Sequence, residues 1–259
     1  MPGLRGGDQI TLSEAFQPIG EHVVIDLAGA RAVFTTRRGG TSTGPYASLN
    51  LGHFTDDRRA CVEHNRRTLQ AQLGVRFAYG RQVHGARVQR VVELADEAPA
   101  LHKAPAPHEA DGQATALSGV APMVLTADCL PVALAGDRVV AMLHAGWRGL
   151  ALGVIAEGVA ALRELGARGA LAAAIGPGAG ACCYEVGDEV HAAFAAYGDS
   201  VRRGRKLDIN AIARRQLEQA GVREVHDIAL CTICSPRLFY SHRRDHGITG
   251  RQAGIAWLR

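Results

Sequence analysis

Apolar residues recur along this chain in two rhythms, one short and β-branched, the other spaced at helical intervals. The stretches 21–27 and 31–36, which contain HVVIDL and AVFTT, predict a pair of strands that run into the glycine-rich loop Arg37-Arg38-Gly39-Gly40. A helix is expected to start near Asp56 or Asp57, because Val62, Arg66, Leu69 and Leu73 then fall at helical spacing and Gly74 closes the pattern. Gln82-Val83-His84 reads as strand, and 87–94 alternates like another. Three apolar runs at 122–128, 131–136 and 138–146, separated by turn residues, have the composition of strands buried on both faces and mark the core sheet. The segment 149–165 predicts one strong helix, 171–175 a strand, 187–196 and 207–220 helices, and 225–230 and 253–258 strands.

Between these elements, 95–112 holds three of the ten prolines and no periodicity, which predicts a surface excursion rather than a boundary between domains. No repeat, heptad or low-complexity tract interrupts the rest. The element order is mixed and lacks the regular alternation of a Rossmann fold or TIM barrel. The expected fold class is therefore α/β of the α+β kind: mixed β-sheets flanked by helices in α/β/β/α layers, with residues 1–259 forming a single domain.

A chain of 259 residues that is 47% hydrophobic can bury a large core, and disorder is not expected beyond its ends. The first sixteen residues contain no apolar signal region and no stretch approaches eighteen uninterrupted apolar residues, so no membrane association is expected. The net charge of +4 rests on 29 basic residues of which only Lys103 and Lys206 are lysines. Arginine can grip phosphates with its planar fork, but a GC-rich coding bias explains the excess better. Without basic runs interleaved with aromatics, a nucleic-acid partner has little support. Six cysteines, at 61, 129, 182, 183, 231 and 234, in a chain with no secretion signal point to reduced thiols and a cytoplasmic location.

Chemistry concentrates in three short motifs, Gln82-Val83-His84-Gly85, Thr126-Ala127-Asp128-Cys129-Leu130-Pro131 and His144-Ala145-Gly146-Trp147-Arg148-Gly149. Each places a borderline or soft ligand where a strand is expected to meet a turn. Zinc accepts imidazole and thiolate together, and three protein ligands with a vacant fourth position are the arrangement of a catalytic site. Spacings of 45 and 15 residues match no local zinc motif. A lone buried cysteine is usually a small hydrophobe, and Cys129 activated by His84 or His144 could instead be a nucleophile without any metal.

These motifs, together with FTTRRGG, SLNLG, IGPGAGACCYEVGDEV (175–190) and CTICSPRLFYSHRRDHGITGRQ (231–252), resemble the YfiH-like family, formerly described as laccase-like polyphenol oxidases. The resemblance spans nearly the whole chain. It implies a metal, zinc or else copper, on His84, Cys129 and His144. It also implies phosphorolysis of adenosine, inosine, guanosine and methylthioadenosine to base and ribose 1-phosphate, with adenosine deamination besides. Purine nucleosides and inorganic phosphate are then the expected partners, with no protein partner indicated. Two other readings stay open: a copper-dependent polyphenol oxidase, and a Cys/His hydrolase in peptidoglycan precursor editing.

Substrate contacts are less sharply marked. Arg148, four residues beyond His144, is a candidate for phosphate or leaving-group contact, against a structural ion pair. Arg37 and Arg38 beside the paired glycines could form an anion site or merely an exposed hairpin, and Asn50 could read a substrate hydroxyl, although a turn cap is favoured. Asp128, next to Cys129, is expected to orient a histidine or to act as a base. Cys231-Thr232-Ile233-Cys234 has the spacing of half a zinc knuckle, but no second pair is evident in the sequence. Cys182-Cys183, taken as neighbours on an extended chain, are read as packing residues. The run Gly176-Pro177-Gly178-Ala179-Gly180 lacks the frame of a nucleotide loop. His242 and His246 are read as part of a solvated turn, and His102 and His108 as surface residues of the excursion.

Overall fold

A computed structural model describes residues 12–93 and 108–259. The proline-rich stretch expected at 95–112 therefore lies mostly outside the described residues. Strands β1 (Phe16–Ile19), β2 (His22–Leu27) and β3 (Ala30–Phe34) form an antiparallel meander. Helix α1 (Arg59–Leu73) follows and ends on Gly74 in the left-handed conformation, with φ of 67°. Glycine takes this conformation without the steric cost other residues bear. The helix starts later than Asp56 or Asp57 because Asp57 turns its carboxylate to the Asn50 side chain, at 3.0 Å.

Next come β4 (Arg76–Ala78), β5 (Val88–Val91), β6 (Gly112–Thr115), β7 (Val120–Thr126), β8 (Leu130–Gly136) and β9 (Val139–Ala145). The helix expected over 149–165 is two pieces, α2 (Trp147–Ala151) and α3 (Val154–Glu164), because Gly153 between them has φ of 88°. The chain continues through β10 (Ala172–Ile175), α4 (Asp188–Ala193), β11 (Arg202–Arg203), β12 (Lys206–Leu207), α5 (Ile209–Gln219), β13 (Glu224–Asp227) and β14 (Gln252–Leu258). Asp208 caps α5 by accepting from the Ala211 amide at 2.9 Å.

Among the described residues, one six-stranded sheet has the order β1-β2-β3-β14-β7-β4 and the other β13-β10-β8-β9-β6-β5. Both are mixed: β4 runs parallel to β7, β13 to β10 and β5 to β6, while their other pairings are antiparallel. Strands β7, β8 and β9 are buried almost throughout, as continuous apolar runs require.

Among the described residues, the three largest of four apolar clusters hold the layers. Val23, Ile25, Phe34 and Val124 of the first sheet interdigitate with Ala133, Ala135, Val140 and Met142 of the second. Leu69 of α1 packs with Phe77, Met123 and Ile255 on the outer face of the first sheet. On the far side, Leu134, Ala141 and Leu143 meet Ile155, Val159 and Leu162 of α3 and Ile212 and Leu217 of α5. The order of layers is α/β/β/α, as the sequence predicts. Small residues set the spacing: a Cβ at Gly158 would meet the Leu143 Cδ2 at 2.9 Å, so α3 lies directly on β9 and fixes the strand that ends in His144 and Ala145.

Candidate metal centre

Three separate stretches deliver His84, Cys129 and His144, whose ligand atoms all lie within 4.8 Å of one another. His144 is buried at the end of β9, Cys129 is half-buried between β7 and β8, and His84 is exposed. The two imidazole rings meet edge to face, with centroids 4.9 Å apart. A Cβ at Gly146 would stand 2.7 Å from the Cys129 Sγ and 3.4 Å from the His84 Cδ2. The glycine therefore leaves the space among the ligands clear of side chain.

His84 does not belong to a strand, as its sequence neighbours suggest, but to a turn in which its own φ is 59°. The reason is Asp111. Its carboxylate is fully buried and accepts from the backbone amides of Val83 at 3.1 Å, His84 at 2.9 Å and Gly85 at 2.7 Å. Consecutive amides around one left-handed residue make a concave nest for an anion, and here the anion is a side chain of the same protein. The carboxylate also faces the His144 Nδ1, 2.8 Å away, while the His144 amide donates to the Asp111 carbonyl at 2.7 Å. One residue thus orients two of the three ligands. It was missed because it stands at the end of the proline-rich stretch. The available signal was Gly112-Gln113-Ala114-Thr115 directly after it, where the sheet resumes as β6.

Asp128 does not touch either histidine. Its Oδ1 accepts from the Thr232 hydroxyl at 2.7 Å, its Oδ2 from the Arg243 amide at 2.7 Å, and its carbonyl from the Ala179 amide at 2.7 Å. With φ of 99° it ends the strand expected to run through 128 and turns the chain so that Cys129 faces the histidines. Asp128 fixes the cysteine turn from one side as Asp111 fixes the histidines from the other.

The thiolate of the cluster suits a cation, and His144, which holds a proton in the absence of one, would release it from Nε2 to a metal. Burial pushes the Cys129 thiol up, but the charge and hydrogen bond of His144, joined by those of His84, prevail and bring it to about 6. Burial acts to lower His144, yet Cys129 and Asp111 raise it to about 9. A thiolate beside two imidazoles is the donor set zinc or copper takes, and Asp111 holding Nδ1 leaves the His144 Nε2 for a metal.

The cationic residues near these motifs differ in how far their donors are already spent. Arg37 stacks on Tyr240 at 4.5 Å and donates to the carbonyls of Ala47, Pro236 and Pro45, so it clamps loops together. Arg38 donates to the Arg237 carbonyl and lies 3.6 Å from Glu21. Asn50 is fully buried; its amide donates to Thr55 and Asp57, and its oxygen accepts from Gly52 and Arg251, which leaves no contact for a substrate. Arg148 is exposed and lies over Trp147 at 4.5 Å. Arg251 is half-buried: burial lowers its pKa, while Asp128 and Cys129 act to raise it, so it stands within electrostatic reach of the thiolate. Tyr184 responds to Cys129, Arg243, Asp128 and Arg148 together and carries the Arg243 guanidinium 5.5 Å from its ring. Arg243, Arg251 and Tyr184 were not singled out from the sequence. They belong to the long motifs at 175–190 and 231–252, whose local composition reads only as polar turn.

Comparison with known proteins gives the family of the chain. Residues 31–259 match the family described as multi-copper polyphenol oxidoreductase laccase. The chain is 41% identical to a purine nucleoside phosphorylase of Xylella fastidiosa, over 89% of this chain and 93% of that one. It is 42% identical to a purine nucleoside phosphorylase of Pseudomonas aeruginosa, over 90% and 95%. Among solved structures, a hypothetical protein YfiH of Bacillus licheniformis superposes with a TM-score of 0.87 at 30% identity, covering 95% of this chain and all of that one. YlmD of Geobacillus stearothermophilus gives 0.86 at 34% identity, covering 95% and 100%. By sequence and by fold, the chain belongs to the YfiH-like family of laccase-domain proteins.

Proposed function

We propose that this protein is a zinc-dependent purine nucleoside phosphorylase that also deaminates adenosine. The observation that carries this reading is the His84, Cys129 and His144 cluster, with Arg251 and Tyr184 within electrostatic reach of Cys129, in a chain about 40% identical to proteins named purine nucleoside phosphorylase. His84, Cys129 and His144 would hold the ion, which when bound supplies Lewis-acid activation of an oxygen nucleophile.

The chain's own residues supply the rest. In phosphorolysis the bond between the ribose anomeric carbon and the purine nitrogen breaks, a carbon–oxygen bond to phosphate forms, and the departing base takes up a proton. Phosphate must be held in line with the anomeric carbon, and guanidinium groups do this with paired hydrogen bonds. Arg148 takes that role here, with Arg251 second to it because its Nη1 already donates to the Thr249 and Gly250 carbonyls, while Arg37 and Arg38 spend their donors on backbone carbonyls. In deamination, water adds to the purine C6 and ammonia leaves. Asp111 keeps the His144 proton on Nδ1, so its Nε2 stays available toward the centre.

A copper-dependent polyphenol oxidase is the alternative that the family description favours. Multi-copper oxidation requires a blue site and further histidine-rich sites, whereas the described residues offer one mixed histidine and cysteine cluster.

The deciding experiment incubates the metal-loaded protein with adenosine, with and without inorganic phosphate, and separates adenine, inosine and hypoxanthine. Adenine formed only with phosphate and inosine formed in both tubes are expected. If neither product appears while a phenol is oxidised by the copper-loaded protein, the oxidase reading replaces this one.

A further inference from the structure

Cys182, Cys183, Cys231 and Cys234 come together in the fold: their four sulfurs all lie within 4.8 Å of one another, outside the His84, Cys129 and His144 cluster. The Cys234 Sγ is 3.4 Å from that of Cys182 and 3.1 Å from that of Cys183. Two readings made from the sequence are thereby corrected. The Cys231 and Cys234 pair does have a partner pair, 51 or 52 residues away. Cys182 and Cys183 are not on an extended strand but in a turn, closed by the Cys183 amide donating to the Gly180 carbonyl at 2.9 Å. Adjacent side chains on a turn can converge on one point, whereas on a strand they diverge.

We propose that these four cysteines form a second metal site, a tetrathiolate that binds one zinc ion and has a structural role. A zinc–sulfur bond of about 2.3 Å places the sulfurs of a regular tetrahedron about 3.8 Å apart, close to the 3.1 and 3.4 Å contacts of Cys234 and within the 4.8 Å that contains all four sulfurs. Tetrahedral sulfur ligation selects zinc or iron–sulfur centres, and one small ion fits a set this tight. Four thiolates so close would repel strongly without a cation among them. A disulfide would satisfy two sulfurs and leave two, yet the Cys234 sulfur stands near those of both Cys182 and Cys183. The Gly180 amide donates to the Cys231 Sγ at 3.3 Å, the kind of backbone hydrogen bond that holds a metal-bound thiolate in place. Gly180 leaves room for the sulfurs, because a Cβ there would stand 3.1 Å from the Cys231 Cβ and 3.3 Å from the Cys182 Sγ, and the cysteines would have to give by a few tenths of an ångström.

The surroundings show what such an ion would secure. Gly178 and Cys231 form an isolated parallel bridge, and the Thr232 amide donates to the Gly178 carbonyl at 2.9 Å. Lys206 donates to the Cys182 carbonyl at 2.6 Å and holds the turn from behind. Thr232, next to Cys231, donates to Asp128, which aims Cys129. Tyr184, next to Cys183, lies within electrostatic reach of Cys129. The second ion therefore ties together the two turns that support the first centre, without touching its ligands. This assignment is independent of the nucleoside reading.

The test purifies the full chain from zinc-supplemented cells without chelator and measures metal by mass spectrometry in three proteins. These are the wild type, the His84→Ala/Cys129→Ser double variant and the Cys231→Ser/Cys234→Ser double variant. Two zinc ions per chain are expected in the wild type and one in each double variant. The His84→Ala/Cys129→Ser protein keeps all four cysteines, so a failure of the other variant to fold leaves the test intact. Reconstituted with cobalt, it should show sulfur-to-cobalt charge transfer, and its four thiols should resist alkylation until the metal is stripped. A His84→Ala/Cys129→Ser protein without stoichiometric metal, or peptide mapping that finds a disulfide among the four cysteines, overturns the proposal. If the wild type and that variant both hold one zinc, this site stands and the metal reading of the first centre fails.

Discussion

Asp111 faces the Nδ1 of His144 at 2.8 Å and, with the same carboxylate, accepts the amides of the turn that presents His84. The carboxylate is therefore a positioning group for two ligands at once. Groups that orient metal ligands typically contribute about 10- to 100-fold to metal affinity. Asp111→Asn should keep the shape while turning one donor toward the donors of the nest, and chelator competition should show zinc affinity lower by that order. Leaving buried amides unpaired costs about 1–3 kcal/mol each, so Asp111→Ala should also lower Tm markedly. Unchanged zinc affinity in both variants would show that Asp111 serves the fold alone.

Gly146 stands where any side chain would enter the space among the ligands, its Cβ position lying 2.7 Å from the Cys129 Sγ. Gly146 has an ordinary φ of −76°, so alanine there meets a steric obstacle only at the sulfur. Gly146→Ala should leave circular dichroism near native but reduce metal binding by about tenfold or more, equivalent to about 1.4 kcal/mol. Full metal content and wild-type turnover in this variant would mean that Cys129 can retreat without consequence.

Stability should depend on pH through His22, away from the centre. It is buried in β2, and its Nδ1 accepts from the Thr36 amide at 3.3 Å, which places the proton of the neutral ring on Nε2. Burial lowers its pKa below 6.5, and Glu21 only partly offsets this. The unfolded chain then binds more protons than the folded one as pH falls below 6.5, so this contribution is present above that pH and is lost in acid. His22→Asn keeps an acceptor for Thr36 but cannot titrate. It should narrow the difference in Tm between about pH 7.5 and about pH 5.5. An unchanged difference would locate the acid sensitivity in other groups.

The layers were legible because β7, β8 and β9 carry unbroken apolar runs and α1, α3 and α5 carry helical ones, which are local signals. The split between α2 and α3 was not, because Gly153 reads as tolerated within a helix until its φ of 88° is known. Within the site, motif and family resemblance singled out His84, Cys129 and His144 as one group, whereas spacing alone left both a nucleophile and a metal ligand open. Asp111 and Arg251 escaped because their partners are distant in sequence: 33 residues separate Asp111 from His144, and 201 separate Arg251 from Asn50. Asp128 was misread for the opposite reason. Adjacency to Cys129 suggested a shared task, but its backbone turn sends its carboxylate to Thr232 and Arg243. The four clustered cysteines show the same limit, since the contacts that bring the two pairs together, such as the bridge between Gly178 and Cys231, join residues distant in sequence.

The arginines allow the substrate reading to be separated from stability. Arg37 spends its guanidinium on Tyr240 and on carbonyls of Ala47, Pro45 and Pro236, so Arg37→Ala should act through packing. Losing several such contacts should cost about 1–3 kcal/mol and lower Tm, with KM for phosphate unchanged. Arg148 is exposed and stacked only on its neighbour Trp147, so Arg148→Ala should leave Tm within about 1–2 °C of wild type. If its guanidinium grips phosphate, the same change should raise KM for phosphate about tenfold or more, and lysine should restore only part of the loss because it lacks the planar fork. Equal phosphate KM values in Arg148→Ala and wild type, measured with saturating nucleoside, would remove Arg148 from the phosphate site and leave Arg251 and Arg243 as its cationic groups.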